Sequence, residues 1–104
     1  AENAYTDSIE RFVDSAAGNE DYADTANHYA VLALAGRADI RLQRKNLTAA
    51  AKDILRAVEL RERSLDEDDG LKRKPRSIGA RVQAALTAAG KAELSEQLAN
   101  ALGQ

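Results

Sequence analysis

The chain has no cysteine, methionine or tryptophan, a single proline, and only four aromatic residues: Tyr5, Phe12, Tyr22 and Tyr29. Each shortage excludes something. Without cysteine there is no disulfide framework, thiolate nucleophile, cysteine-ligated zinc or iron–sulfur cluster. Few aromatic and β-branched residues weigh against an all-β fold. No apolar run approaches the roughly 18 residues that a membrane-spanning helix needs. The longest runs from Tyr29 to Ala35 and is rich in alanine. No basic start followed by an apolar stretch marks a signal peptide, so a cytoplasmic home is the expectation.

What is present is alanine. Of 104 residues, 22 are Ala, and 24 are larger apolar residues. That supports one small domain whose helices approach closely, with a core thin enough that a homodimer would help to bury it. The net charge of −2 hides an asymmetry. Residues 1–30 hold seven acids against Arg11 alone, while residues 31–104 hold fourteen bases against ten acids. Two ends of opposite sign imply an oriented surface field. The ratio of ten Arg to five Lys, with the high Ala, points to a bacterial or phage source.

Hydrophobic periodicity predicts helices at about 4–17, 20–45, 47–65, 77–89 and 91–102. In the first, Tyr5, Ile9, Phe12, Val13 and Ala16 share one face. In the second, Tyr22, Ala26, Tyr29, Ala33 and Ile40 make a stripe, and residues 30–35 are apolar on all sides, as expected of a central helix. Gly36 inside it marks a close helix crossing or a kink. Leu47, Ala50, Ile54, Leu55, Val58 and Leu65 face inward on the third. Ile78, Val82, Ala85, Leu86 and Ala89 do so on the fourth, and Leu94, Leu98, Ala101 and Leu102 on the fifth. Gly18, Gly70, Gly90 and Gly103 fall at predicted helix ends. Residues 66–76 combine four acids, a glycine, a basic cluster and the only proline, and read as an exposed loop. The fold class expected is therefore all-α, a compact bundle of four to five helices in one domain.

Residues 37–60 read RADIRLQRKNLTAAAKDILRAVEL. Ala38, the Asn46–Leu47 turn, then Ala50, Ile54, Ala57 and Leu60 make this stretch resemble a single tetratricopeptide (TPR) unit. The resemblance implies a helical hairpin with alanines at the close approach. Arg41 stands where that family usually has an aromatic, and Glu62 where it usually closes with proline. A generic antiparallel hairpin accounts for the same residues.

Candidate chemistry is sparse. His28, with Asp24 one helical turn before it, is the one Asp/His pair available for acid–base or metal work, and no third ligand has matching spacing. There is no glycine-rich phosphate loop and no nucleophile elbow. No catalytic, cofactor or metal site is assigned. The basic residues offer more: Arg37, Arg41 and Arg44 recur at helical spacing, and Lys72, Arg73, Lys74, Arg76 and Arg81 form a second cluster. The expectation is a non-enzymatic protein–protein interaction module, an adaptor, accessory or assembly protein, using these residues against an unidentified partner. The alternative is a nucleic-acid-binding accessory protein using the cluster at 72–81. Against it, every aromatic that could stack on a base lies before residue 30. The last two helices have a helix-turn-helix look, but the second carries Glu93 and Glu96 where base reading favours Arg, Asn or Gln. The four aromatics read as one end of the core, or in part as an exposed anchor for a partner.

Overall fold

The computed structural model describes residues 2–67 and 74–103. Its elements are α1 (Glu2–Gly18), α2 (Ala23–Gln43), α3 (Leu47–Arg61), α4 (Pro75–Ala88) and α5 (Ala92–Ala101). Short 3-10 turns at Glu20–Tyr22 and Glu62–Asp66 precede α2 and follow α3. No strand occurs among the described residues. The chain is an all-α bundle, and none of its described helices is long and apolar enough to cross a membrane.

The differences from the periodic reading lie at the ends. The long second and third helices are each an α-helix joined to a 3-10 turn, a common way to tighten a helix terminus. The stretch 66–76 is not loop throughout: Asp66 belongs to the second 3-10 turn, and Pro75 and Arg76 open α4. Pro75 is buried. Proline suits a first helical position because its missing N–H would have had no helical partner there. Residues 68–73 of that stretch lie outside the described residues.

α2 is the axis of the bundle, touching α1, α3 and α4, while α5 packs on α3 and α4. This follows from its sequence: Ala30, Ala33 and Ala35 face different directions, yet all are buried, and Val31, Leu34 and Ala38 are fully enclosed. From α3, Ala50, Ala51, Ile54 and Ala57 meet them, also with no exposure. Val82, Leu86 and Leu98 complete the core from α4 and α5. Each fully buried Leu, Ile or Val contributes about 1.5–3 kcal/mol, and the small alanines let the helix backbones approach.

Two glycines inside helices serve as contact points. A Cβ on Gly36 would lie 2.5 Å from Cε1 of Tyr5, so Gly36 is the seat on which the Tyr5 ring locks α1 to α2. A Cβ on Gly79 would lie 3.0 Å from Leu102 Cδ1 and 3.1 Å from Ile54 Cγ2, so Gly79 lets α4 settle onto α3 and the end of α5.

The turns after α2 and α4 are built alike. Asn46 N–H donates to Arg41 O at 2.8 Å and Lys45 N–H to Leu42 O at 3.0 Å. After α4, Lys91 N–H donates to Leu86 O at 2.9 Å and Gly90 N–H to Thr87 O at 3.1 Å. Both are Schellman motifs, which place one residue in left-handed backbone. Gly90 occupies that position at φ 78° in the second, but in the first it is Lys45 at φ 62°. Left-handed backbone costs a residue bearing Cβ roughly 1–2 kcal/mol. Lys45→Gly is therefore expected to stabilise the protein by about 1 kcal/mol, read as a raised midpoint in urea denaturation with an unchanged slope.

Candidate interaction surface

The basic residues divide into those the fold uses and those it leaves outside. Asp53 on α3 has a side chain only 4% exposed. A carboxylate that deep must be compensated, and α2 supplies two guanidiniums. Arg37 grips it as a fork, Nη2 to Oδ1 at 2.7 Å and Nε to Oδ2 at 3.1 Å. Arg41 Nη1 reaches both oxygens at 3.0 and 3.1 Å. The remaining donors tie in α1: Arg37 Nη1 donates to Thr6 Oγ1 at 3.0 Å, and Arg41 Nε to Glu2 Oε1 at 3.3 Å. Among the described residues α1 packs only on α2 and the first 3-10 turn. These arginines are thus its link to α3.

That corrects the basic stripe. Arg37 and Arg41 are 13% and 20% exposed and turn inward, because the hairpin at Asn46 brings Asp53 opposite them. Arg44 stands apart as the exposed C-terminal cap of α2. The second cluster is also divided. Arg76 donates to Asp66 at 2.7 and 3.2 Å and to the Leu102 carbonyl, fastening the start of α4 to the second 3-10 turn and to the end of α5. The Arg76 hydrogen bond and charge hold the exposed Asp66 carboxyl below its ordinary range, and Asp66 holds Arg76 above its own. Arg81 Nη2 donates to the buried Asp39 at 3.0 Å. Lys74 is exposed, and Lys72 and Arg73 lie outside the described residues.

His28 does not pair with Asp24, which instead bonds Arg63 at 2.6 Å. Its Nδ1 lies 3.0 Å from Ser64 Oγ and 3.0 Å from Glu67 Oε2. Serine, histidine and glutamate together invite a nucleophile reading, which the geometry opposes. A nucleophilic relay needs the serine on one ring nitrogen and the acid on the other, and here both meet Nδ1. Ser64 is also fully buried, and Arg61 donates to its Oγ. The cluster pins the second 3-10 turn against α2. Nothing in the sequence announced it, since His28 and Ser64 are 36 residues apart. Among the described residues no group of three or more His, Asp or Glu could hold a metal ion. An open depression of about 410 Å³ at the α4–α5 turn is walled by one stretch of chain, from Gly90 to Gln97.

The aromatic residues follow a different logic. Tyr22 and Tyr29 are 64% and 48% exposed, the most exposed large apolar residues described. They share a helical stripe with Ala26 and Ala33, but only the alanines are buried. The small side chains sit at the helix contact while the rings stand at its rim. Phe12 from α1 stacks on Tyr29 with ring centroids 5.4 Å apart and an interplanar angle of 27°. His28, the second ring neighbour of Tyr29, lies 5.3 Å from it, tilted by 56°. Tyr29 is therefore braced from two sides, whereas Tyr22 projects at the start of α2. Around them Asp14, Glu20, Asp21 and Asp24 are all exposed. Asn19 Oδ1 accepts the Asp21 N–H at 3.0 Å and fixes the turn that carries this edge.

No family model, curated protein or solved structure matches this chain.

Proposed function

We propose that this protein is a non-enzymatic, cytoplasmic interaction module that receives a protein partner on the edge formed by Phe12, Tyr22 and Tyr29. The observation that carries the reading is the exposure of Tyr22 and Tyr29, 64% and 48%, at the start of a helix whose Val31 and Leu34 are fully enclosed. A partly braced tyrosine covers much area at little entropic cost and is enriched at protein interfaces. Residues 37–60 contribute scaffold to this reading: the TPR-like alanines Ala38, Ala50 and Ala57 are all fully buried and hold the hairpin together. The basic residues that looked like a docking surface have structural partners at Arg37, Arg41, Arg76 and Arg81.

The test is selection from a displayed random-peptide library against the folded protein, with each selected peptide then measured on Tyr22→Ala and Tyr29→Ala. The expected result is a set of mutually competing peptides whose binding weakens at least tenfold on one or both variants. Peptides that bind both variants as well as the parent protein would overturn the assignment. Thermal melting of each variant separates lost binding from lost structure: Tyr22→Ala should melt with the parent, and Tyr29→Ala should lose about 0.5–1.5 kcal/mol with its Phe12 stack.

A further inference from the structure

The partner's chemistry can be taken further from the charge around the two tyrosines, an inference that rests on the docking edge just proposed. Within residues 1–30 the only base is Arg11, against seven acids. Six of those acids, Asp7, Glu10, Asp14, Glu20, Asp21 and Asp24, are exposed. Glu2 is turned toward Arg41, and Asp24 has Arg63 beside it. Glu20 and Asp21 directly precede Tyr22, so the projecting ring stands in a negative field. Such a field steers and selects a partner of opposite sign. An aromatic face beside carboxylates also suits a cation, which gains from the ring quadrupole and from the acids together.

We infer that the α1–α2 edge binds a lysine- and arginine-rich helical segment of a partner protein, seated on Tyr22 and Tyr29. Tyr22 and Tyr29 are seven residues apart, two helical turns or about 10 Å along the axis. A helix with apolar residues two turns apart can meet both rings while its flanking bases meet Glu20, Asp21 and Asp14. A second copy of the chain fits poorly. A symmetric contact through this edge would set two acidic faces against each other.

Three labelled helical peptides of one apolar pattern test this by fluorescence anisotropy: one with Lys and Arg on the polar face, one with Gln there, one with Glu. The basic peptide should bind at least tenfold more tightly than the Gln peptide, and the Glu peptide should not bind. Raising the salt from about 50 to about 200 mM should weaken the basic complex severalfold. Tyr22→Ala and the double variant Glu20→Gln/Asp21→Asn should each weaken it at least threefold, and Lys91→Gln should leave it unchanged. If the Gln peptide binds equally well and Tyr22→Ala abolishes it, the docking edge stands and the basic partner is overturned. If the basic peptide binds but Tyr22→Ala has no effect, both fail. If light scattering finds self-association that Tyr22→Ala abolishes, the occupant is a second copy and the inference is overturned, as it is if none of the peptides binds.

Discussion

Asp53→Ala is expected to lower the stability of the fold by about 3–5 kcal/mol, because it strands the largely buried Arg37 guanidinium and leaves Arg41 with Glu2 alone. Against the about 5–15 kcal/mol that holds a domain together, that loss can empty the native state. The carboxylate is 4% exposed and takes four hydrogen bonds from Arg37 and Arg41. Asp53→Asn, which keeps the shape and removes the charge, should also be strongly destabilising. Most of the penalty comes from unpaired cations rather than from lost attraction. Replacing all three partners together, Asp53→Leu with Arg37→Met and Arg41→Met, should therefore recover most of the loss. Urea denaturation of the four proteins checks the series. A triple variant less stable than Asp53→Ala would show that the network itself supplies the stability. Because these arginines tie α1 to Asp53 on α3, amide exchange in Asp53→Asn should rise first in α1.

The second large effect lies where α3, α4 and α5 meet. Ile54 is fully enclosed, and its Cγ2 is within 3.1 Å of the place a Gly79 Cβ would take. Ile54→Ala should cost about 2–5 kcal/mol through lost burial and the cavity left behind. Gly79→Ala alone should cost about 1–3 kcal/mol, since the new methyl is wedged between Ile54 and Leu102 in a packed core. The two changes should be less than additive: the methyl on residue 79 occupies part of the space that Ile54→Ala vacates, and neighbours in contact couple by about 0.5–3 kcal/mol. Denaturation midpoints of the two single variants and the double variant measure that coupling, and strict additivity would show that the sites do not share the space.

Much of this fold was legible because local pattern and punctuation agree. Gly90 and Gly103 sit at helix ends in left-handed backbone. The apolar run 30–35 became the central helix because nothing else could cover all its sides. Two things were not legible. An i, i+4, i+7 stripe of arginines looks the same whether it faces water or a carboxylate, and Asp53 becomes its partner only after α3 folds back, 16 residues along the chain from Arg37. Tyr22 and Tyr29 fit the period of the buried alanines, but a helix apolar on several sides does not say where its neighbours stop. α1 covers Tyr29 on one face with Phe12 and leaves Tyr22 beyond. The arginine stripe thus exchanges its place as proposed docking surface with the other charged end, where the aromatics also read in part as an exposed anchor. Arg37, Arg41, Arg76 and Arg81 serve the architecture, and the acidic aromatic edge is the surface proposed for recognition.

The measurement that tests this exchange most directly is a two-dimensional ¹H–¹⁵N NMR titration of the folded protein with the lysine- and arginine-rich helical peptide. Shifts should concentrate at residues 12–32, centred on Tyr22 and Tyr29, with Arg44, Lys74 and Arg81 unmoved. Shifts centred instead on Arg44 or on residues 74–81, with Tyr22 and Tyr29 still, would contradict it.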